Sequence, residues 1–165
     1  MTSFILLFTI VVILALLFLV VEYGFLVPAV KGLPILMYHK VSENVADGLT
    51  VKTEDLERQF SYIRSRGYSS MTFEEFAQTK DHQDKREKRI ILTFDDAYES
   101  FYDHVLPLLE KYRLKATLFV PIGFIGKTNE WNKGSYKILD ADKLKKLAEN
   151  DMIELWINSF FHKNY

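Results

Sequence analysis

An uninterrupted apolar run near the N-terminus is the strongest constraint on how this 165-residue chain folds. Residues Phe4–Val21 contain no charged side chain, and Thr9 is the only polar one among them. Eighteen residues in an α-helix span roughly 27 Å, which is close to the hydrocarbon thickness of a bilayer. We therefore predict a retained single-pass anchor over residues 4–21, within an anchor and connector segment (1–31) that precedes one domain (32–165).

A cleaved signal peptide is the alternative interpretation of this run. Such peptides usually have a shorter apolar core that follows a basic residue, whereas Met1–Ser3 carries no basic side chain. Orientation is not decided by the flanking charges. Lys31 and Lys40 lie on the C-terminal side, and the positive-inside rule then weakly favours a cytoplasmic domain.

Composition excludes several classes of protein. The 21 basic and 22 acidic residues give a net charge of −1, without the basic surface that a nucleic-acid binder needs. The absence of cysteine excludes disulfides and thiolate metal sites. A charged fraction of 26% beside 48% hydrophobic residues indicates a globular domain rather than a disordered chain.

Predicted strands and helices alternate through residues 32–165. Thr72 with Glu75 forms a capping box, and Pro107 is placed to restart a helix. This alternation predicts a parallel sheet, either a barrel or a doubly wound layer, whose ligand sites lie at the carboxyl ends of the strands. The predicted strands are 33–38, 90–94, 116–120 and 152–157, with helices starting near Thr53, Thr72, Ser100 and Asp140 and a solvated loop over 80–89.

Polar side chains follow three of these strands: His39, the pair Asp95 and Asp96, and the Asn158 to His162 segment. Two adjacent carboxylates are costly unless a cation lies beside them. One can ligate the cation while the other accepts a proton from bound water, and a histidine nitrogen favours a zinc-like ion. Taken singly, the aspartates could also cap a helix or bind magnesium, and each histidine could be a packed or surface residue.

Together these segments resemble the polysaccharide deacetylases of the NodB-homology family, carbohydrate esterase family 4. The resemblance covers about residues 33–165 and implies a deformed (β/α) barrel that removes acetyl groups from N-acetylated sugars. The implied partner is an N-acetylglucosamine polymer outside the cytoplasm, so we expect an extracytoplasmic domain despite Lys31 and Lys40. The segments that carry the resemblance are 35–41 (ILMYHKV), 92–98 (LTFDDAY), 115–120 (KATLFV) and 153–165 (IELWINSFFHKNY).

The resemblance also implies roles for individual residues. Asp95 matches the general base, whereas Asp96 and His162 match ligands of a divalent, zinc-like cation. Asn158 occupies the position of the family's other histidine ligand, so we expect weak or absent metal binding. His39 is expected to line the substrate groove.

Other departures from the family pattern lower the activity that we expect. Trp156 and Ala97 stand where the family typically has glycine, and an indole at residue 156 could crowd the pocket. The family's later motifs have no counterpart before Tyr165, which predicts a truncated member with a partial barrel and impaired or absent deacetylase activity. The alternatives are a non-catalytic glycan-binding remnant, an unstable product without function, and a magnesium phosphotransferase, although the last should have a phosphate-cradling loop.

Overall fold

The computed structural model describes residues 2–22, 32–45, 47–79, 88–131 and 134–159. The chain divides into two units, residues 1–32 and 33–165. In the first unit, Thr2–Glu22 form helix α1. The span Phe4–Glu22 has a mean hydropathy of 3.5 and no buried residue, and it is long enough to cross a membrane. A signal sequence has the same properties, so the apolar helix is established and its anchoring role stays a prediction.

From residue 50 onwards, strands and helices alternate in the second unit, as the sequence predicts. The strands at 35–38, 40–42 and 50–52 follow one another without a helix, and the short strands at 40–42, 50–52 and 69–70 were not predicted. The unit also contains a π-helical turn over Phe101–Val105 and a 3₁₀ turn over Ile122–Phe124. The strands are β1 (Ile35–Tyr38), β2 (Lys40–Ser42), β3 (Thr50–Lys52), β4 (Ser69–Ser70), β5 (Arg89–Phe94), β6 (Ala116–Pro121) and β7 (Ile153–Ser159). The helices are α2 (Thr53–Ser65), α3 (Phe73–Gln78), α4 (Leu106–Tyr112) and α5 (Ala141–Ala148).

The sheet that positions the site is parallel throughout. Its strands run in the order β1-β5-β6-β7, and β4 also pairs with β5. Strands β2 and β3 form a separate parallel pair. The parallel α/β prediction is confirmed. The described strands form an open sheet, in which β1 and β7 lie at the edges, and closure into a barrel stays a prediction.

The core lies between one face of this sheet and the helices. Alternate residues of β5, namely Ile90, Leu92 and Phe94, enter the core because side chains of a strand point to opposite faces in turn. Helix α2 contributes Leu56 and Phe60, which are fully buried. Burial of each such side chain stabilises the fold by about 1.5–3 kcal/mol. The buried strand β5 is therefore held firmly in the sheet, and the acidic pair follows directly after it.

Local signals in the sequence set most helix ends. The predicted capping box is confirmed, with the Thr72 hydroxyl accepting from the Glu75 N–H and the Glu75 side chain accepting from the Thr72 N–H. The Asp140 carboxylate accepts from the Lys143 N–H at 2.9 Å and caps α5. Lys52, one residue before Thr53, is the N-cap of α2. Most of the predicted loop at 80–89 lies outside the described residues.

Candidate active site

A tight turn directly after β5 carries the two aspartates. The Asp95 N–H donates to the Tyr38 carbonyl at 2.9 Å, which joins the turn to the end of β1. Asp96 and Ala97 adopt φ angles of 68° and 46°, a left-handed conformation that costs non-glycine residues roughly 1–2 kcal/mol. The turn separates the two carboxylates: the Asp95 side chain is 24% exposed, whereas Asp96 is only 2% exposed. Asp95 is therefore the carboxylate that a substrate can reach from solvent.

His39 lies beside Asp95 because their strands are neighbours. Tyr38 of β1 is in register with Phe94 of β5, so the next residue of each strand reaches the same edge. The Nε2 atom of His39 lies 3.8 Å from Oδ2 of Asp95. This separation permits an electrostatic interaction, but it is longer than a direct hydrogen bond. His39 also lines a small pocket together with residues 47–51.

Lys40, the next residue, is a buried cation, whereas the sequence analysis treated it only as a charge flanking the apolar run. Only 4% of Lys40 is exposed, and its ammonium lies 3.9 Å from the centre of the Tyr136 ring. Its Nζ atom is also 3.9 Å from Oδ2 of Asp47. Lys40 thereby holds the segment before β3 and the segment before α5 against the strand that follows His39.

Trp131 contacts Asp96, the buried member of the acidic pair. The sequence analysis did not predict this contact. Its indole N–H donates to Oδ2 of Asp96 at 3.1 Å. The ring packs edge-on against Phe124, with centroids 4.8 Å apart. The available signal was its place in the loop after the carboxyl end of β6, the edge where ligand sites of parallel sheets lie.

Tyr38 supports the site without titrating near neutral pH. Burial raises the pKa of its phenol to about 12. The hydroxyl donates to Oε1 of Gln59 at 2.7 Å, and the ring stacks on Phe94 at 5.1 Å. Tyr38 therefore stays protonated and acts as packing between β1, β5 and α2.

The remaining predicted ligands lie at or beyond the end of β7. The register pairs Ile157 with Val120 and Ser159 with Pro121, so Asn158 lies at the carboxyl-end edge of the sheet. Its side chain is exposed. His162 lies outside the described residues. Trp156 is 49% exposed, and its ring packs against Phe73 of α3 with centroids 6.2 Å apart.

The chemistry of Asp96 is suitable for a metal ligand. Carboxylates that bind metal ions are typically held by a further hydrogen bond, and Trp131 donates such a bond to Asp96. Within residues 2–22, 32–45, 47–79, 88–131 and 134–159, however, no three His, Cys, Asp or Glu side chains are grouped closely enough to hold one ion. The described donors are therefore too few to complete a metal centre.

The comparison that decides the family covers the segment from residue 82 onwards. The family described as polysaccharide deacetylase matches residues 82–165, which is half of the chain. The chain belongs to the polysaccharide deacetylase family. The resemblance read from the TFDD segment and its neighbours is thereby confirmed, and so is the assignment to a family of carbohydrate-active hydrolases.

Curated relatives of this chain are longer than it is. YxkH of Bacillus subtilis (strain 168), assigned by its name to the polysaccharide deacetylases, is 35% identical over 120 residues, covering 72% of the chain and 39% of YxkH. The poly-β-1,6-N-acetyl-D-glucosamine N-deacetylase of Escherichia coli (strain K12) is 32% identical over 96 residues, covering 56% of the chain and 14% of that protein. The chain thus spans well under half of either relative.

A solved structure supports the same fold. IcaB from Ammonifex degensii superposes with a TM-score of 0.66 at 23% identity, covering 76% of this chain and 52% of IcaB. At this identity the likeness concerns the fold alone.

Proposed function

We propose that this chain belongs to an enzyme that hydrolyses the acetamide C–N bond of N-acetylglucosamine units in a polysaccharide. The observation that supports this most is the pairing of solvent-accessible Asp95 with His39 at the carboxyl-end edge of the sheet. The family assignment supports the reaction class. The Escherichia coli relative, named for N-deacetylation of poly-β-1,6-N-acetyl-D-glucosamine, supports the substrate class.

The reaction needs one group that accepts a proton and one that donates a proton. The oxygen of water attacks the acetamide carbonyl carbon while Asp95 takes the proton of that water. The C–N bond then breaks, and the sugar nitrogen leaves with a proton, giving acetate and a free amine. His39, 3.8 Å from Asp95, is placed to deliver that proton when its imidazole is protonated.

Metal dependence is a separate part of the proposal. The family resemblance assigns Asp96, Asn158 and His162 to a divalent, zinc-like cation, which supplies polarisation of the carbonyl when bound. A neutral amide oxygen is a poorer zinc ligand than imidazole. We therefore expect weak zinc binding, and we expect Asn158→His to strengthen it.

The barrel and the membrane location are also proposed. An open parallel sheet with β1 and β7 at its edges is what part of a deformed (β/α) barrel would provide. The proposed organisation is an anchor and connector over 1–31 and a deacetylase domain over 32–165, the latter outside the cytoplasm, where such polymers lie. A reporter active only in the cytoplasm, fused after Tyr165, should give no signal, and a strong signal would contradict this orientation.

Acetate release from a β-1,6-linked N-acetylglucosamine oligomer tests the reaction. The full chain in detergent micelles is expected to release acetate only slowly, because Asn158 replaces a histidine ligand at the proposed cation site. Asp95→Asn and His39→Gln should each lower the rate about 100-fold or more, because each removes one proton-transfer group. Asp142→Asn, an equal change on the exposed surface of α5, should leave the rate unchanged. Equal rates for Asp95→Asn and the unsubstituted chain would contradict the proposal.

A glycan-binding protein without catalysis is the second candidate. The incomplete set of described metal donors favours it. Titration of the same oligomer, followed by calorimetry, separates the two candidates: binding without any acetate release would identify a binding protein, whereas acetate release identifies the enzyme.

A further inference from the structure

We infer that Trp131 is a positioning residue whose indole N–H fixes the orientation of the Asp96 carboxylate. The contact itself is a 3.1 Å hydrogen bond from Nε1 to Oδ2. Asp96 is buried, and a charge-assisted hydrogen bond is stronger there than in water. The hydrogen bond does not depend on the proposed function, whereas the role of the Asp96 carboxylate in binding a cation rests on it.

The loop that carries Trp131 is tied to itself on both sides of the indole. The Asn129 N–H donates to the Tyr136 carbonyl at 2.9 Å, and the Asn129 side-chain oxygen accepts from the Tyr136 N–H at 2.6 Å. The Ile138 N–H donates to the Lys127 carbonyl at 2.8 Å. These bonds form a short antiparallel ladder, so the base of the loop has a defined shape.

The second arm of this ladder is bonded to the acidic turn. The Leu139 N–H donates to the Ala97 carbonyl at 2.9 Å, and the Glu99 N–H donates to the Lys137 carbonyl at 2.8 Å. The turn that presents Asp96 and the loop that presents Trp131 therefore share one hydrogen-bonded frame. Because the frame is fixed at both ends, the indole holds the carboxylate in one direction.

The orientation of the indole is itself fixed by packing. The Phe124 ring meets it edge-on at 81°, with centroids 4.8 Å apart. Phenylalanine at residue 131 can keep this ring contact but has no N–H to donate. Trp131→Phe consequently removes the hydrogen bond while it retains most of the packing.

Nuclear magnetic resonance of the full chain, labelled with ¹⁵N-tryptophan in detergent micelles, tests the contact. The chain has two tryptophans, and Trp156→Phe assigns their indole signals. Asp96→Asn should move the Trp131 indole signal upfield and speed its proton exchange, since the charged acceptor is lost. Asparagine tolerates the left-handed conformation of residue 96. Asp95→Asn, the same change one residue earlier, should leave the signal in place.

Zinc binding, measured by calorimetry, tests the consequence. Trp131→Phe should weaken zinc binding about tenfold or more, as the loss of outer-shell partners does. The matched control Trp156→Phe, an equal change in a ring that packs against Phe73, should not.

Each result decides the inference. Weaker zinc binding by Trp131→Phe alone supports it, and equal affinity in both variants overturns it while the proposed function stands. If the unsubstituted chain binds no zinc, the metal part of the proposed function fails. The indole signal then decides, since an Asp96→Asn spectrum with the Trp131 signal unmoved would overturn the inference.

Discussion

Thr117 and Glu154 lie opposite each other on β6 and β7, and the Thr117 hydroxyl donates a 2.6 Å hydrogen bond to the Glu154 carboxylate. The same carboxylate accepts the backbone N–H groups of Phe73 and Glu74 at 3.0 and 2.9 Å. One side chain thus joins two strands to the first turn of α3. Burial acts to raise the pKa of Glu154, but these hydrogen bonds, with one from the Trp156 indole, outweigh it and hold the pKa below its usual value.

Glu154→Gln should destabilise the fold. The amide that replaces one carboxylate oxygen is a donor, and it would face the N–H groups of α3, which are donors too. Loss of charge-assisted bonds of this kind costs about 1–3 kcal/mol. Chemical denaturation of the full chain in detergent micelles measures the free energy of unfolding, with Glu110→Gln on the exposed side of α4 as the control. Equal losses in both variants would refute the role of Glu154.

The contribution of Glu154 should also depend on pH. A carboxyl whose pKa is lower in the folded state than in the unfolded state stabilises the fold above its unfolded pKa. That stabilisation is lost as the pH falls through the folded pKa. The difference in unfolding free energy between the unsubstituted chain and Glu154→Gln should therefore be largest near pH 7 and shrink towards pH 3. A difference that stays constant over this range would contradict the assignment of the low pKa to Glu154.

The fold could be predicted from sequence to the extent that local patterns determine it. The apolar run of β5 and the Thr72 to Glu75 capping box depend on residues close together in the chain, and both are present in the structure. Whether the sheet closes depends on strands that no local pattern describes. Closure into a barrel is therefore a matter of long-range strand pairing, which short sequence patterns do not determine.

The site could be predicted only where strand ends determine it. His39 and Asp95 follow paired strands, so the rule for parallel sheets was enough to place them together. Trp131 lies in a loop, and so do Asp47 and Tyr136, the partners of Lys40. The conformation of these loops depends on tertiary hydrogen bonds, which no periodic pattern signals, and neither contact was therefore predicted.

Lys40 and Tyr136 should be energetically coupled. A buried ammonium over an aromatic ring is stabilised by about 1–2 kcal/mol, so a double-mutant cycle of Lys40→Met and Tyr136→Leu should give a coupling energy of about 1 kcal/mol. Lys143 lies 5.3 Å from the Tyr102 ring and is also bonded to Glu99. The matched cycle of Lys143→Met and Tyr102→Leu should therefore give a smaller coupling. Equal coupling in the two cycles would argue against a special role for the buried cation.

Ala97 should tolerate glycine better than other buried alanines do. Its φ of 46° lies in the left-handed region, which costs a non-glycine residue roughly 1–2 kcal/mol and glycine almost nothing. Ala97→Gly therefore removes this strain. Loss of a buried methyl group costs about 0.8 kcal/mol, and the two effects nearly cancel. Ala116, equally buried in β6, has no such strain to relieve. Denaturation should show a loss for Ala116→Gly that exceeds the loss for Ala97→Gly by about 1 kcal/mol, and the reverse order would show that the turn after the acidic pair is not strained.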